Sequence, residues 1–137
     1  MERIYILECF YSENRYYHIA FTDYDMAIDM LNKLNKPVSY YHILHTTLSL
    51  ISDSIYFITV GFGSTIDNTR TYGIGRSFYP SEYHAKSNVD WYNDDDYEPG
   101  QVIILDNNNI CFKDTDGYYK YTIHRIEINK ERFEKNE

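Results

Sequence analysis

Nine consecutive residues near the N-terminus, Arg3–Tyr11 (RIYILECFY), constrain the fold more than any other part of the chain. Side chains of an extended strand alternate between two faces. Here Tyr5, Leu7 and Cys9 share one face and Ile4, Ile6 and Glu8 the other, so both faces are largely apolar. Such a strand needs cover on both sides, or a helix on one of them, and belongs at the centre of a sheet. Ser12–Arg15 (SENR) supplies a turn and Tyr16–Phe21 (YYHIAF) a return strand, which predicts an antiparallel hairpin.

The period then changes. Tyr24, Ala27, Met30, Leu31 and Leu34 fall at helical spacing and form one apolar stripe, suited to packing on the sheet. Thr22 reads as the N-cap, with Asp25 three residues on as its capping-box partner. Asp23 and Asp25 favour the positive end of the helix dipole. Pro37 ends the helix.

Val38–Ile51 (VSYYHILHTTLSLI) is rich in Tyr, Ile and Thr and reads as a strand, although Leu44, Leu48 and Ile51 also fit a helix. Ser52–Ser54 turns the chain into a further strand, Ile55–Val60, and the two are expected to pair as a hairpin. Thr69–Ile74 is a short strand, and Ser77–Lys86 a loop or a short helix after Pro80. Gln101–Leu105 and Ile110–Lys113 flank an Asp106–Asn109 turn, and Asp116-Gly117 marks another hairpin before a long strand, Tyr118–Ile128. Asn129–Glu137 reads as a frayed, charged tail. The expectation is a single α+β domain over residues 1–137, a mainly antiparallel sheet of roughly six to eight strands with one principal helix, about residues 22–35, on a face.

The Y-x-L strand, the return strand ending in Phe21-Thr22, the helix with Ala27 and Leu31, and the late strand Tyr121–Asn129 (YTIHRIEIN) resemble a group of small uncharacterised phage and bacterial proteins. The resemblance covers Arg3–Leu34 and about Gly117–Phe133, and departs over Pro37–Asp116. It implies a ββα scaffold and a mobile-element origin, and no activity.

Charge narrows the function classes. The formal net charge is -8, and the 13 Lys and Arg residues are scattered. Nucleic-acid binding by counterion release needs clustered cations, so direct nucleic-acid binding is not expected. An acidic face suits a basic protein partner, including one whose groove normally holds nucleic acid. Cys9 and Cys111 sit in apolar strands and read as buried thiols of a reducing compartment. With no basic-then-apolar leader and no long apolar run, the expected location is cytoplasmic, in a host cell if the chain is phage-encoded.

No catalytic motif emerges. Gly61 with Gly63, and Gly73 with Gly75, begin dinucleotide-like patterns, but Ile66 and Phe78 stand where a third glycine belongs. His42 and His45 would share a side on a helix but take opposite faces on a strand, so no metal site is assigned. His84 reads as a surface histidine. The aspartates at 94–96 and at 114 and 116 lack the spacing of a calcium loop. No cofactor is assigned.

Ser87–Gly100 (SNVDWYNDDDYEPG) stands apart, with the only Trp and five acids but no base. Trp and Tyr anchor interfaces, which makes Trp91, Tyr92, Asp94, Asp95, Asp96, Tyr97 and Glu98 the expected partner-binding residues. The reading is a non-enzymatic inhibitor or immunity-type protein of phage or mobile-element origin, such as an anti-CRISPR or nuclease inhibitor, that blocks a basic protein. One alternative is a small-molecule binder or enzyme that holds a nucleotide or other anionic ligand on Gly61–Arg76 through Arg70, Gly73, Gly75 and Arg76. The other is a structural or assembly subunit. The oligomeric state is not legible.

Overall fold

A computed structural model describes residues 1–12, 15–34, 40–49, 52–89, 101–114 and 116–131. Among these, eight strands form two sheets, accompanied by two helices. The pairings of Glu2–Ser12 with Arg15–Phe21 and Tyr40–Leu48, of Ser54–Gly63 with Arg70–Ile74, and of Asn109–Asp114 with Gln101–Ile104 and Gly117–Glu127 are antiparallel, as expected for the α+β class. The strands divide between two sheets instead of forming one. The chain makes two compact units, Met1–Ile55 with Ile126–Glu137, and Tyr56–Arg125.

In the first unit β1 (Glu2–Ser12) lies between β2 (Arg15–Phe21) and β3 (Tyr40–Leu48). Its two apolar faces explain the central place. Ile4, Ile6 and Glu8 on one face and Leu7 and Cys9 on the other are all closed off from solvent. The helix α1 (Tyr24–Lys33) contributes Ala27 and Met30 to a core with Leu7, Cys9, Ile19 and Phe21, and Leu31 and Leu34 pack at its margin. Tyr24, at the start of the stripe, is instead 48% exposed and sets its ring edge-on to Tyr5.

Two local expectations are corrected. The N-cap is Asp23, whose carboxylate accepts the Asp25 backbone N–H at 2.8 Å, and not Thr22. Thr22 is occupied elsewhere: its N–H donates to Asn129 Oδ1 at 2.9 Å, and its hydroxyl accepts from Asn129 Nδ2 at 3.0 Å. Asn129 sits at φ 60°, a left-handed conformation that Asn tolerates. Its own N–H donates to the Ala20 carbonyl, beside a parallel bridge from Ile128 to Ala20.

The second correction concerns β3. It is a strand, but it pairs with β1 along its whole length and not with the strand that follows. The physical reason is that β1, apolar on both faces and hydrogen-bonding on both edges, needs a second neighbour. Pro37 lies outside the described residues; α1 itself ends at Lys33, with Leu34 as C-cap.

In the second sheet the order is β5-β4-β8-β7-β6. β4 (Ser54–Gly63) runs beyond its expected end at Val60, and its outer neighbour is β5 (Arg70–Ile74). β6 (Gln101–Ile104), β7 (Asn109–Asp114) and β8 (Gly117–Glu127) follow as hairpins. In the β6–β7 turn the Asn108 N–H and the Asn109 side-chain amide donate to Asp106, holding its carboxyl below the usual range. Val89, Ile110 and Phe112 form a core with Ile58, Tyr119 and Tyr121 at its edge.

The helix α2 (Glu82–Val89) occupies the stretch after Pro80. Ser81 Oγ accepts the His84 N–H and also bonds the His84 ring, so this exposed histidine helps close the first helical turn. Ser87, Asn88 and Val89, the first residues of the acidic aromatic stretch, belong to this helix, and Val89 is buried. Among the described residues, no helix is long and apolar enough to cross a membrane.

Candidate functional site

The predicted partner-binding residues, Trp91, Tyr92, Asp94, Asp95, Asp96, Tyr97 and Glu98, lie outside the described residues. The stretch Gly61–Arg76 and the start of β8 carry a candidate site.

Phe62 on β4 and Arg70 on β5 are direct cross-strand partners. One step along, the register shifts: Gly61 pairs with Thr71 and Val60 with Gly73, so Tyr72 is an extra residue with no partner on β4. Bulges of this kind bend a strand and re-aim its side chains. Arg70 and Tyr72 then line an open pocket of about 530 Å³ with Phe62, Asp116 and Tyr119. The Phe62 and Tyr119 rings lie 4.9 Å apart and tilted.

Gly117 sets the close approach of β8 to this site. Its φ is 152°, and a Cβ there would stand 2.6 Å from the Gly63 carbonyl and 3.0 Å from the Phe62 ring. Only glycine fits such a turn without displacing the backbone.

The other members of the expected ligand set fall elsewhere. Gly73 lies in β5, where a Cβ would meet only the Val60 side chain, at an ordinary contact of 4.0 Å. Gly75 is there for packing: its N–H donates to the Ile58 carbonyl at 2.7 Å, and a Cβ would sit 2.8 Å from that oxygen. Neither glycine nor Arg76 lines the pocket. Arg70 does, joined by three rings and a carboxylate that the predicted ligand set did not include.

The pocket has the make-up of a recognition site. Ligand pockets of roughly 300–1,000 Å³ combine apolar and aromatic walls with a few oriented polar groups. A planar guanidinium can grip a carboxylate or phosphate in two parallel hydrogen bonds. Three rings offer stacking surface, and Asp116 offers an acceptor for a donor group.

A second cluster escaped the sequence reading. Glu8 and His18 face each other across β1 and β2, with Glu8 Oε2 2.8 Å from His18 Nε2. Glu8 is fully buried and His18 is 5% exposed. On the other side of Glu8 the register partner is His42 of β3, and beyond it the Phe10 and Tyr40 rings stack 4.4 Å apart. His45, paired with Tyr5, takes the opposite face of β3, as expected of a strand. Among the described residues no three His, Cys, Asp or Glu side chains converge as metal ligands.

Both cysteines are buried free thiols, as expected. Burial, and secondarily the Glu8 charge, pushes the Cys9 thiol up to about 11. Burial likewise raises Cys111. A thiol nucleophile needs the opposite shift.

No family model, no curated protein and no solved structure matches the chain.

Proposed function

We propose that this chain acts by binding rather than by catalysis, as an inhibitor or immunity-type protein of phage or mobile-element origin that blocks a basic protein partner. The observation that carries this reading is a surface rich in exposed tyrosine on an acidic chain. Tyr72 and Tyr83 are 65% and 77% exposed, and the formal net charge is -8. Tyr gives large contact area at low entropic cost, and acidic surroundings steer a basic partner into register. Trp91 and Asp94–Asp96 extend that chemistry in sequence. Replacing Trp91 and the three aspartates together by Ala should cost about 2 kcal/mol or more of binding, roughly thirtyfold in Kd. An unchanged affinity for the purified partner would remove these residues from the interface.

A second reading rests on the pocket. Arg70, with Phe62, Tyr72, Tyr119 and Asp116 around it, favours a small ligand that joins a planar ring to an anionic group, a nucleotide being one chemistry of that kind. Melting curves with nucleotides, nucleosides and sugar phosphates discriminate, because a ligand of the native state raises Tm. A shift lost in Arg70→Ala, at unchanged ligand-free Tm, supports this reading. No shift with any of the three classes counts against it.

A further inference from the structure

Four strands end the two sheets, and three of them carry features that discourage further pairing. β2 includes Arg15, is bulged against β1, and is met at Ala20 by Ile128 and Asn129. β5 has five residues, includes Arg70 and is bulged. β6 has four residues. Charge, bulges and brevity are the devices by which sheet edges avoid association.

β3 has none of them. Its nine residues, YYHILHTTL, contain no Asp, Glu, Lys, Arg, Pro or Gly. They pair with β1 without a break, from Phe10↔Tyr40 to Glu2↔Leu48, so the strand is regular, and among the described residues its other edge lies at the end of the sheet. No residue of β3 is buried, although the strand is built from Tyr, Ile, Leu, Thr and His. A long, regular, uncharged edge of that composition is a template for another strand.

We propose that β3 is a self-association edge, on which β3 of a second copy pairs antiparallel about a two-fold axis at Leu44. Leu44 is the middle residue of β3, so this register uses the whole strand. It sets Leu44 against Leu44 of the second copy, Ile43 against His45, His42 against Thr46, Tyr41 against Thr47 and Tyr40 against Leu48. Two-fold symmetry demands a surface complementary to itself. β3 satisfies this because no formal charge meets its like, and aromatic and β-branched residues face one another. A charged foreign partner would find nothing on this strand to recognise it by charge. Pairing joins two three-stranded sheets into one of six strands.

Sedimentation of the full chain across a micromolar concentration series, together with site-directed cross-linking, tests this. The wild type is expected to dimerise. Thr47→Lys, which places a cation on each exposed edge, is expected to abolish the dimer while leaving the circular dichroism spectrum and Tm of the monomer unchanged. Leu44→Cys should oxidise to a covalent dimer, because directly opposed residues have Cα atoms about 4.5–5.5 Å apart, within disulfide reach. His42→Cys should not, because the two copies of residue 42 would lie about 14 Å apart along the strands. The native cysteines are buried and do not compete. A chain that stays monomeric throughout overturns the proposal. So does a dimer that survives Thr47→Lys without cross-linking at position 44, and so does a β3 edge that pairs only with a different protein.

Discussion

Glu8 Oε2 lies 2.8 Å from His18 Nε2 on facing strands, and both side chains are almost wholly withdrawn from water. Removing one member of a buried pair of this kind strips a short polar contact from the other in a poorly solvating interior, at a cost of about 3–5 kcal/mol. His18→Leu and Glu8→Leu should each lower the unfolding free energy by that order. The double variant should lose much less than the two single losses combined. A urea-denaturation double-mutant cycle reads this coupling; strictly additive losses would show that the two groups do not depend on each other.

This pair also shows where sequence reading stops. The SENR turn would pair Ser12 with Arg15 and, carried on unchanged, would set Glu8 opposite Ile19. A bulge between Phe10 and Ser12 shifts the register by one residue and brings Glu8 to His18 instead. A one-residue slip turns every side chain to the other face, so the most buried polar contact in the hairpin depends on a detail that alternation cannot reveal. The hairpin, α1, β3, β5 and the last three strands were legible because their periodicity and turn residues are local. The partner of β3, the cap at Asp23 and the role of Asn129 were not. The first and last are decided by residues distant in sequence, 107 positions apart for Thr22 and Asn129, and the cap by the local Asp23–Asp25 hydrogen bond. Of the candidate ligand site, Arg70 was legible by its charge beside glycines. Phe62, Asp116 and Tyr119 were not, because β8 meets β4 only in the folded sheet.

Cys9 gives a pH prediction. Its thiol is raised from an ordinary value of 9.0 to about 11, first by burial and then by the Glu8 charge. A folded-state value above the unfolded one means that this contribution is fully present below pH 9 and is lost as pH rises toward 11. Stability should therefore fall more steeply between pH 9 and pH 11 in the wild type than in Cys9→Ala. At pH 8 the folded protein should resist thiol reagents at Cys9 and react once unfolded. Equal pH slopes in the two proteins would contradict the assignment.

Gly117→Ala should destabilise the protein by about 1–3 kcal/mol, the usual cost of forcing a side chain into a sparsely allowed conformation. The added Cβ meets both the Gly63 carbonyl and the Phe62 ring. Gly73→Ala, where the added Cβ makes only an ordinary 4.0 Å contact with the Val60 side chain, serves as the control and should change stability by well under half of that. Equal losses at the two positions would show that the tight approach at Gly117 is relieved at no cost.

Asn129→Ala removes three features at once: a side chain suited to φ 60°, the acceptor for the Thr22 N–H, and the donor to the Thr22 hydroxyl. A loss of about 1–2 kcal/mol is expected. Asn129→Gly should recover the backbone part only, because glycine accepts a positive φ but makes no hydrogen bond. Full recovery with Gly would assign the whole effect to the backbone.

The central claim is that this acidic, tyrosine-rich chain works by occupying a basic protein. Capture of proteins from a lysate of the native host on the immobilised full chain, at low and at moderate salt, tests it most directly. The account predicts a stoichiometric protein partner that is bound at low salt, weakens as salt rises, and is lost when Trp91 and Asp94–Asp96 are replaced by Ala. Recovery of the bait alone, or of a partner whose binding is indifferent both to salt and to those substitutions, would contradict it.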